Sequence, residues 1–209
     1  MNVLAIGAHF DDIELGCAGT LAKHVANGDD VYAYVVTQSG FTNHKNIEVR
    51  SNEVAIQEGE DAMKILGVKL IKGIFTTLKV EFTDELNLEI VKIVEIHKID
   101  LVYSHWVGDV HHDHQAVAKA SLHSCRHVPR QLMYRSNWYH SNIDFKGNFY
   151  VDISDFWELK KQSIEAHKSE MDRTGRKWIV FFNNEAKNAG QRINVEKAEV
   201  FEVVRWLES

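Results

Sequence analysis

The stretch that decides the fold is residues 3–16, which read Val-Leu-Ala-Ile-Gly-Ala-His-Phe-Asp-Asp-Ile-Glu-Leu-Gly. Residues 3–7 form a short apolar run that ends in glycine, and such a run is typical of a buried strand. Apolar residues then recur at helical spacing over residues 15–27, and Gly28 follows as a helix stop. The histidine and the acidic residues in between are therefore expected in a loop that joins a strand to a helix.

The same alternation continues along the chain. Apolar runs predict further strands at residues 31–37, 68–71 and 100–104, and helical spacing predicts helices at residues 46–66 and 84–97. Further on, the pattern predicts strands at 131–135 and 148–153 and a helix at 155–170, whereas 198–206 fits either a strand or a helix. This order predicts an α/β fold, a mostly parallel sheet with helices on both faces. The length suits a single domain over residues 1–209.

The composition excludes several classes of protein. Apolar residues make up 44% of the chain and charged residues 26%, as in soluble globular proteins. The 24 Lys and Arg residues are outnumbered by 30 Asp and Glu residues, which argues against a nucleic-acid partner. Two cysteines, Cys17 and Cys125, cannot form a disulfide framework. No apolar run reaches the roughly 18 residues of a membrane span, and the first residues lack a signal-peptide pattern, so a cytoplasmic location is expected.

Two clusters of side chains that can bind metal follow two predicted strands. The first is the loop within residues 3–16, which carries one histidine and three carboxylates. The second is residues 105–114, His-Trp-Val-Gly-Asp-Val-His-His-Asp-His, which hold four of the 12 histidines. A single histidine or aspartate would usually be a loop residue or a helix cap. Two clusters at strand ends, where α/β proteins bind ligands, indicate a functional site.

The residue types in these clusters suit a catalytic metal ion. Catalytic zinc takes about three imidazole or carboxylate ligands and leaves one position for water, so two histidines and one aspartate would suffice. A nearby carboxylate that is not a ligand can accept the proton of that water and pass it to a leaving group. The adjacent Asp11 and Asp12 suit this division of roles, although the residues alone leave open which aspartate has which role.

Both clusters resemble the hallmark segments of the PIG-L/LmbE-like N-deacetylase family. Residues 8–16, Ala-His-Phe-Asp-Asp-Ile-Glu-Leu-Gly, and residues 111–114, His-His-Asp-His, carry the resemblance, and Arg50 with Glu53, residues 167–169 and residues 198–201 add to it. The resemblance implies a Rossmann-like fold. It also implies a zinc-dependent hydrolase that removes an N-acyl group, most often acetyl, from an amino sugar or a glycoconjugate, and assembly into a homo-oligomer, a trimer or a hexamer.

The resemblance also implies roles for individual residues. The implied metal ligands are His9, Asp12 and His114. Asp11 would be the general base and then the general acid, and His111, oriented by Asp113, would stabilise the oxyanion. The resemblance implies substrate contacts by Arg50 and His167. Trp106, whose aromatic face could stack on a sugar ring, and Asp109 are further candidates. The same ligands would also accept iron, cobalt, manganese or nickel. From the residues themselves, His114 in the first turn of a helix would stay neutral, and a contact with Asp113 would raise the pKa of His111.

The chain departs from the family pattern at Phe10, where proline is usual, so Phe10 is expected to relax the loop or to wall the pocket. Arg50 and Glu53 lie three residues apart on a predicted helix, which fits a solvated ion pair as well as a substrate contact.

Two other functions compete with deacetylation. A hydratase or lyase acting on an unsaturated carboxylic acid would use the same metal site and would need cationic groups, for which Arg50, Arg135 and Arg173 are candidates. A sugar-binding or scaffolding protein that retains the fold without catalysis is disfavoured, because a binding module has no need for a base beside a metal ion.

Overall fold

The protein has a central, mostly parallel sheet. A computed structural model describes residues 1–208. Ser209, the last residue of the predicted single domain, lies outside the described residues. The strands are β1 (Asn2–Gly7), β2 (Asp30–Thr37), β3 (Phe41–Thr42), β4 (Glu48–Arg50), β5 (Lys69–Phe75), β6 (Leu101–His105), β7 (Arg130–Tyr134), β8 (Phe149–Asp152) and β9 (Ala198–Trp206). The helices are α1 (Asp12–Ala26), α2 (Asn52–Leu66), α3 (Asp84–Ile96), α4 (His112–Ser124), α5 (Trp157–Glu165), α6 (Lys168–Thr174) and α7 (Lys177–Arg192), with a short 3-10 helix at Ser154–Phe156.

The strand order confirms the predicted fold class. Within the described residues, seven strands form one sheet in the order β5-β2-β1-β6-β7-β9-β8. β5, β2, β1, β6 and β7 are parallel, whereas β9 runs antiparallel to both β7 and β8. β3 and β4 form a small antiparallel pair apart from this sheet.

Helices cover both faces of the sheet, as predicted. On β1, Val3 and Ala5 pack into one core cluster with α1 and α2, while Leu4 and Ile6 pack into another with α3 and α4. A strand that is buried on both faces needs apolar residues at every position, which explains the continuous apolar run at the start of the chain. Among the described helices, none combines the length and the apolar character that crossing a bilayer requires.

Two predicted helices differ from the observed ones. The helix predicted at residues 46–66 begins at Asn52, because residues 48–50 form β4 and Ser51 Oγ accepts a hydrogen bond from the Val54 N–H at 3.3 Å. Arg50 and Glu53 therefore do not share a helix. The helix predicted at 155–170 is interrupted between α5 and α6, where His167 turns its side chain into the core.

The end of the chain also differs from expectation. α7 was not predicted, although its buried residues Trp178, Phe182, Ala186 and Ala189 recur at helical spacing. Residues 198–206, which fitted either structure, form strand β9.

The sheet brings three loops together at one edge. β1 pairs with β6 so that Ile6 is opposite Ser104, and β6 pairs with β7 so that His105 is opposite Tyr134. Because these three neighbouring strands are parallel, the loops that follow them leave from the same edge. Both clusters of potential metal ligands therefore meet there.

Candidate metal centre

Three side chains at this edge form a nearly equilateral triangle, in which each histidine nitrogen faces a different carboxylate oxygen of Asp12. His9 Nδ1 lies 3.3 Å from Asp12 Oδ2 and 3.2 Å from His114 Nε2, and His114 Nε2 lies 3.1 Å from Asp12 Oδ1. Ligands about 2.0–2.1 Å from a tetrahedral zinc ion lie about 3.3 Å from one another. The donor set and its spacing therefore fit a tetrahedral metal ion.

Neighbouring carboxylates orient both histidines of the triangle. His9 Nε2 lies 2.9 Å from Asp113 Oδ2, so its N–H donates there and the Nδ1 lone pair remains available. His114 Nδ1 lies 3.2 Å from Asp109 Oδ2. Although burial opposes the shift, Asp12 and Asp109 raise the pKa of His114 to about 10, opposite to the predicted neutral ring, so a metal ion would have to displace the Nε2 proton. A carboxylate behind each histidine ligand is the usual arrangement in metal sites, because it fixes the tautomer and the ring orientation.

Two other histidines lie close enough to compete as ligands, in the groups His9–His111–His114 and Asp12–His105–His114. However, His105 Nε2 accepts the Ala8 N–H at 3.0 Å, and His111 Nδ1 accepts the Asp113 N–H at 3.2 Å. A neutral imidazole has one lone pair on its ring nitrogens, and each of these rings already uses it. The hydrogen bonding therefore makes His9, Asp12 and His114 the candidate ligands that fit best.

Sequence reasoning assigned no role to two residues that support the centre. His105 is buried and stacks on His114, with ring centroids 4.0 Å apart. Ser136 Oγ donates to Asp12 Oδ1 at 2.9 Å. His105 ends β6 and Ser136 follows β7 after one residue, so the rule that sites collect at strand ends would have found both.

Asp11 lies beside the triangle and lines the same cavity. It precedes the first residue of α1 with a φ angle of 131°, far from the values that non-glycine residues prefer. Burial and the neighbouring Asp12 carboxylate raise the pKa of Asp11 to about 7, although Arg50 opposes this rise. A carboxylate with that pKa suits proton transfer near neutral pH.

His111 is placed differently from the expectation. Its ring accepts a backbone N–H at the start of α4, and the Asp113 carboxylate instead binds His9 and the backbone N–H groups of Leu78 and Val80. Burial, His114 and His9 lower the pKa of His111 to about 4, opposite to the predicted rise. His111 is therefore a neutral ring whose Nε2–H is a donor.

The cavity above these residues has a volume of about 230 Å³. The triangle, Asp11 and His111 supply polar groups on one side. Aromatic side chains supply much of the remaining lining, namely Phe41, Trp138, Tyr139 and Trp178. A polar reaction centre inside an aromatic wall suits a small polar molecule with apolar faces.

The four residues expected to contact substrate are mostly buried or already bound by other side chains. Arg50 lines the cavity, but its guanidinium is already bound by Glu58. His167 is 0% exposed, and Trp106 is 3% exposed, so neither is available for direct contact with substrate. Asp109 is 4% exposed and accepts the His111 N–H at 2.8 Å, so it supports the centre from behind.

Phe10 also differs from both expectations. Its ring is 1% exposed and packs in the main core cluster, so it does not wall the cavity. The ring lies against Gly59 of α2, where the lack of a side chain makes room for it. Phe10 therefore anchors the loop in the core.

Comparison with known proteins identifies the family. Residues 4–125 match the family model described as PIG-L: GlcNAc-PI de-N-acetylase, which is more than half of the chain. The chain belongs to the PIG-L family. The sequence resemblance is thereby confirmed.

Two curated relatives of this PIG-L chain are deacetylases by name. The Escherichia coli uncharacterized deacetylase YaiS is 32% identical over 184 residues, 80% of this chain and 91% of that protein. Diacetylchitobiose deacetylase of Thermococcus kodakarensis is 28% identical over 190 residues, 81% of this chain and 70% of that protein.

Two solved structures show how widely the fold is used. N,N'-diacetylchitobiose deacetylase from Pyrococcus horikoshii superposes with a TM-score of 0.82 at 24% identity, over 97% of this chain and 83% of that chain. The hydratase GalB from Pseudomonas putida superposes with a TM-score of 0.83 at 15% identity, over 100% of this chain and 99% of that chain. Because one fold carries both reactions, function must be argued from the site.

Proposed function

We propose that this PIG-L protein is a zinc-dependent N-deacetylase that hydrolyses the N-acetyl group of an amino sugar or a glycoconjugate. The observation that carries the proposal is the triangle of His9, Asp12 and His114, with Asp11 beside it in one cavity. The two curated relatives, both deacetylases by name and one named for diacetylchitobiose, support this reaction and substrate class.

The triangle would hold the metal ion, and its surroundings keep the ligands in the required form. When bound, the ion would polarise the amide carbonyl and lower the pKa of a water molecule. Asp113 keeps the Nδ1 lone pair of the His9 ring available. The backbone N–H of His9 donates to Asp12 Oδ2 at 2.7 Å, and Ser136 Oγ donates to Asp12 Oδ1 at 2.9 Å. These hydrogen bonds favour the ionised carboxylate that a ligand must be.

Asp11 and His111 would carry out the proton transfer and the charge stabilisation. Asp11 accepts a proton from water as the water oxygen bonds to the carbonyl carbon. His111 Nε2–H donates a hydrogen bond to the carbonyl oxygen as negative charge develops on it. Asp11 then delivers its proton to the nitrogen as the carbon–nitrogen bond breaks, so that acetate and a free amine leave.

Acetate release from N-acetylglucosamine and N,N'-diacetylchitobiose tests the proposal, with zinc-loaded protein compared with chelator-stripped protein. Asp11→Asn should lower kcat by about 10²- to 10⁴-fold and keep about one zinc per chain. His114→Ala should lose the metal, whereas His123→Ala, an exposed histidine of the same helix, should keep both metal and activity. Full activity in Asp11→Asn or in stripped protein would contradict the mechanism.

The hydratase alternative is less supported, because its candidate cations are either already paired or lie at another cavity. Arg50 is bound by Glu58, and Arg173 Nε donates to Glu170 at 2.9 Å, so both candidate cations in the catalytic cavity are already paired. Arg135 lines a different cavity of about 630 Å³. An absorbance assay with conjugated unsaturated acids distinguishes the two reactions, and we expect no change in absorbance.

A further inference from the structure

The backbone of Asp11 adopts a conformation that non-glycine residues rarely take, with φ of 131° and ψ of −28°. Such strain costs free energy and persists where the surrounding structure enforces it. The groups that enforce it therefore determine where the Asp11 carboxylate lies.

Arg50 holds the peptide group that joins Phe10 to Asp11, and Ser39 holds the peptide group before it. The Phe10 carbonyl oxygen accepts from Arg50 Nη1 at 3.1 Å, and the Phe10 N–H donates to Ser39 Oγ at 2.8 Å. The same Nη1 lies 3.5 Å from Asp11 Oδ2. Rotation of the Phe10–Asp11 peptide group changes φ of Asp11, so the Arg50 hydrogen bond to the Phe10 carbonyl restrains the strained angle.

A buried network in turn holds Arg50. Its Nη2 donates to Glu58 Oε2 at 2.9 Å and contacts His167 Nδ1 at 3.1 Å. Because a guanidinium group has no acceptor, Nδ1 of His167 accepts, and Nε2–H donates to Glu14 Oε1 at 2.9 Å. Glu14 lies in α1, the helix that begins directly after Asp11, so the network closes on the same loop.

Glu58 determines which way Arg50 points. Its carboxylate also accepts from the N–H and the hydroxyl of Ser169, both at 2.7 Å, so three donors converge on it. The 2.9 Å charged hydrogen bond from Arg50 to Glu58 is stronger than the 3.5 Å contact with Asp11. Arg50 is therefore bound tightly by Glu58, and the Asp11 carboxylate remains available to the cavity.

We infer that Glu58 is a positioning residue that, through Arg50, holds the Phe10–Asp11 peptide group in its strained orientation and directs the Asp11 carboxylate into the catalytic cavity. Glu58 is not among the described residues that line this cavity, so it acts without touching substrate. The inference rests on the proposed function, in which Asp11 is the base.

The test compares Glu58→Gln with Glu60→Gln, a control in the same helix that breaks an exposed ion pair with Lys72. Glutamine presents one acceptor and one donor, so it cannot satisfy both Arg50 and the Ser169 N–H. We expect kcat for N-acetylglucosamine to fall about 10- to 100-fold in Glu58→Gln, with KM within about twofold and zinc content unchanged. Equal kcat values in the two variants would overturn the inference.

Two further measurements separate positioning from general instability. A crystal structure of Glu58→Gln should show φ of Asp11 moved to negative values, and an unchanged angle would overturn the inference. In Arg50→Ala, guanidinium below denaturing concentrations should restore kcat more than methylammonium does, because its planar donors match both partners. Equal restoration by the two cations would overturn it.

These readouts also distinguish failure of the inference from failure of the proposed function. If zinc-loaded wild-type protein released no acetate, the proposed function would be wrong. The Asp11 angle in Glu58→Gln would still decide the role of Glu58.

Discussion

Gly59→Ala is expected to destabilise the protein, although alanine is the better helix former. A Cβ atom at Gly59 would lie 2.1 Å from Cδ1 and 2.7 Å from Cε1 of the Phe10 ring. The ring is 1% exposed in the main core cluster, so it cannot move into solvent. Overpacking costs about 1–3 kcal/mol, and so close an approach lies at the upper end. Helix propensity offsets about 1 kcal/mol, which leaves a loss of about 2 kcal/mol in the free energy of unfolding.

Urea denaturation of Gly59→Ala, Phe10→Ala and the double variant measures this effect. Phe10→Ala alone should cost about 3–5 kcal/mol because it leaves a cavity. The double variant should lose less than the sum of the two single losses, since the new methyl group occupies space that the ring has vacated. An increase in the stability of Gly59→Ala, or additive losses, would refute the proposed contact between the loop and α2.

Three further changes test other parts of the structure. Asp113→Asn should weaken zinc binding about 10- to 100-fold in a competition titration, since a histidine ligand loses its carboxylate partner. Lys160→Met should cost about 3–5 kcal/mol in urea denaturation by leaving the buried Glu199 unpaired, and adding Glu199→Gln should recover part of that loss. Although burial opposes the shift, the amino terminus and His24 hold the pKa of Asp29 below its ordinary value. The ionised Asp29 therefore stabilises the folded protein above its unfolded-state pKa, and this stabilisation is lost as pH falls through its folded-state pKa. The free energies of unfolding of wild type and Asp29→Asn, measured by urea denaturation, should therefore become equal in acid.

The parallel part of the sheet was predictable because its strands are buried on both faces. Residues 3–6 and 101–103 are apolar and buried, and this pattern needs no knowledge of distant contacts. The start of α2 at Asn52 was harder to predict from the sequence, because β4, which precedes it, forms only by pairing with β3 across a turn. Assembly into a trimer or a hexamer depends on surfaces between chains, and it stays a prediction.

The sequence predicted that the expected ligands converge, whereas it did not predict the contacts around them. The expected ligands His9, Asp12 and His114 follow strand ends and do converge in space. The partner of Asp113 was mistaken because sequence proximity suggested His111, while the chain path from α4 brings the carboxylate to His9. Hydrogen-bond partners depend on side-chain direction, which no local pattern records.

Two carboxylates that are not expected ligands, Asp109 and Asp113, orient the histidines that are. Asp109 and Asp113 each face a different histidine of the triangle, and both come from the segment after β6. That segment therefore supplies one ligand directly and orients the other, which comes from the loop after β1. A shift of this segment would disturb both histidines together, so substitutions of Asp109 and Asp113 should be non-additive in zinc affinity. Additive effects would mean that each carboxylate orients its own histidine independently.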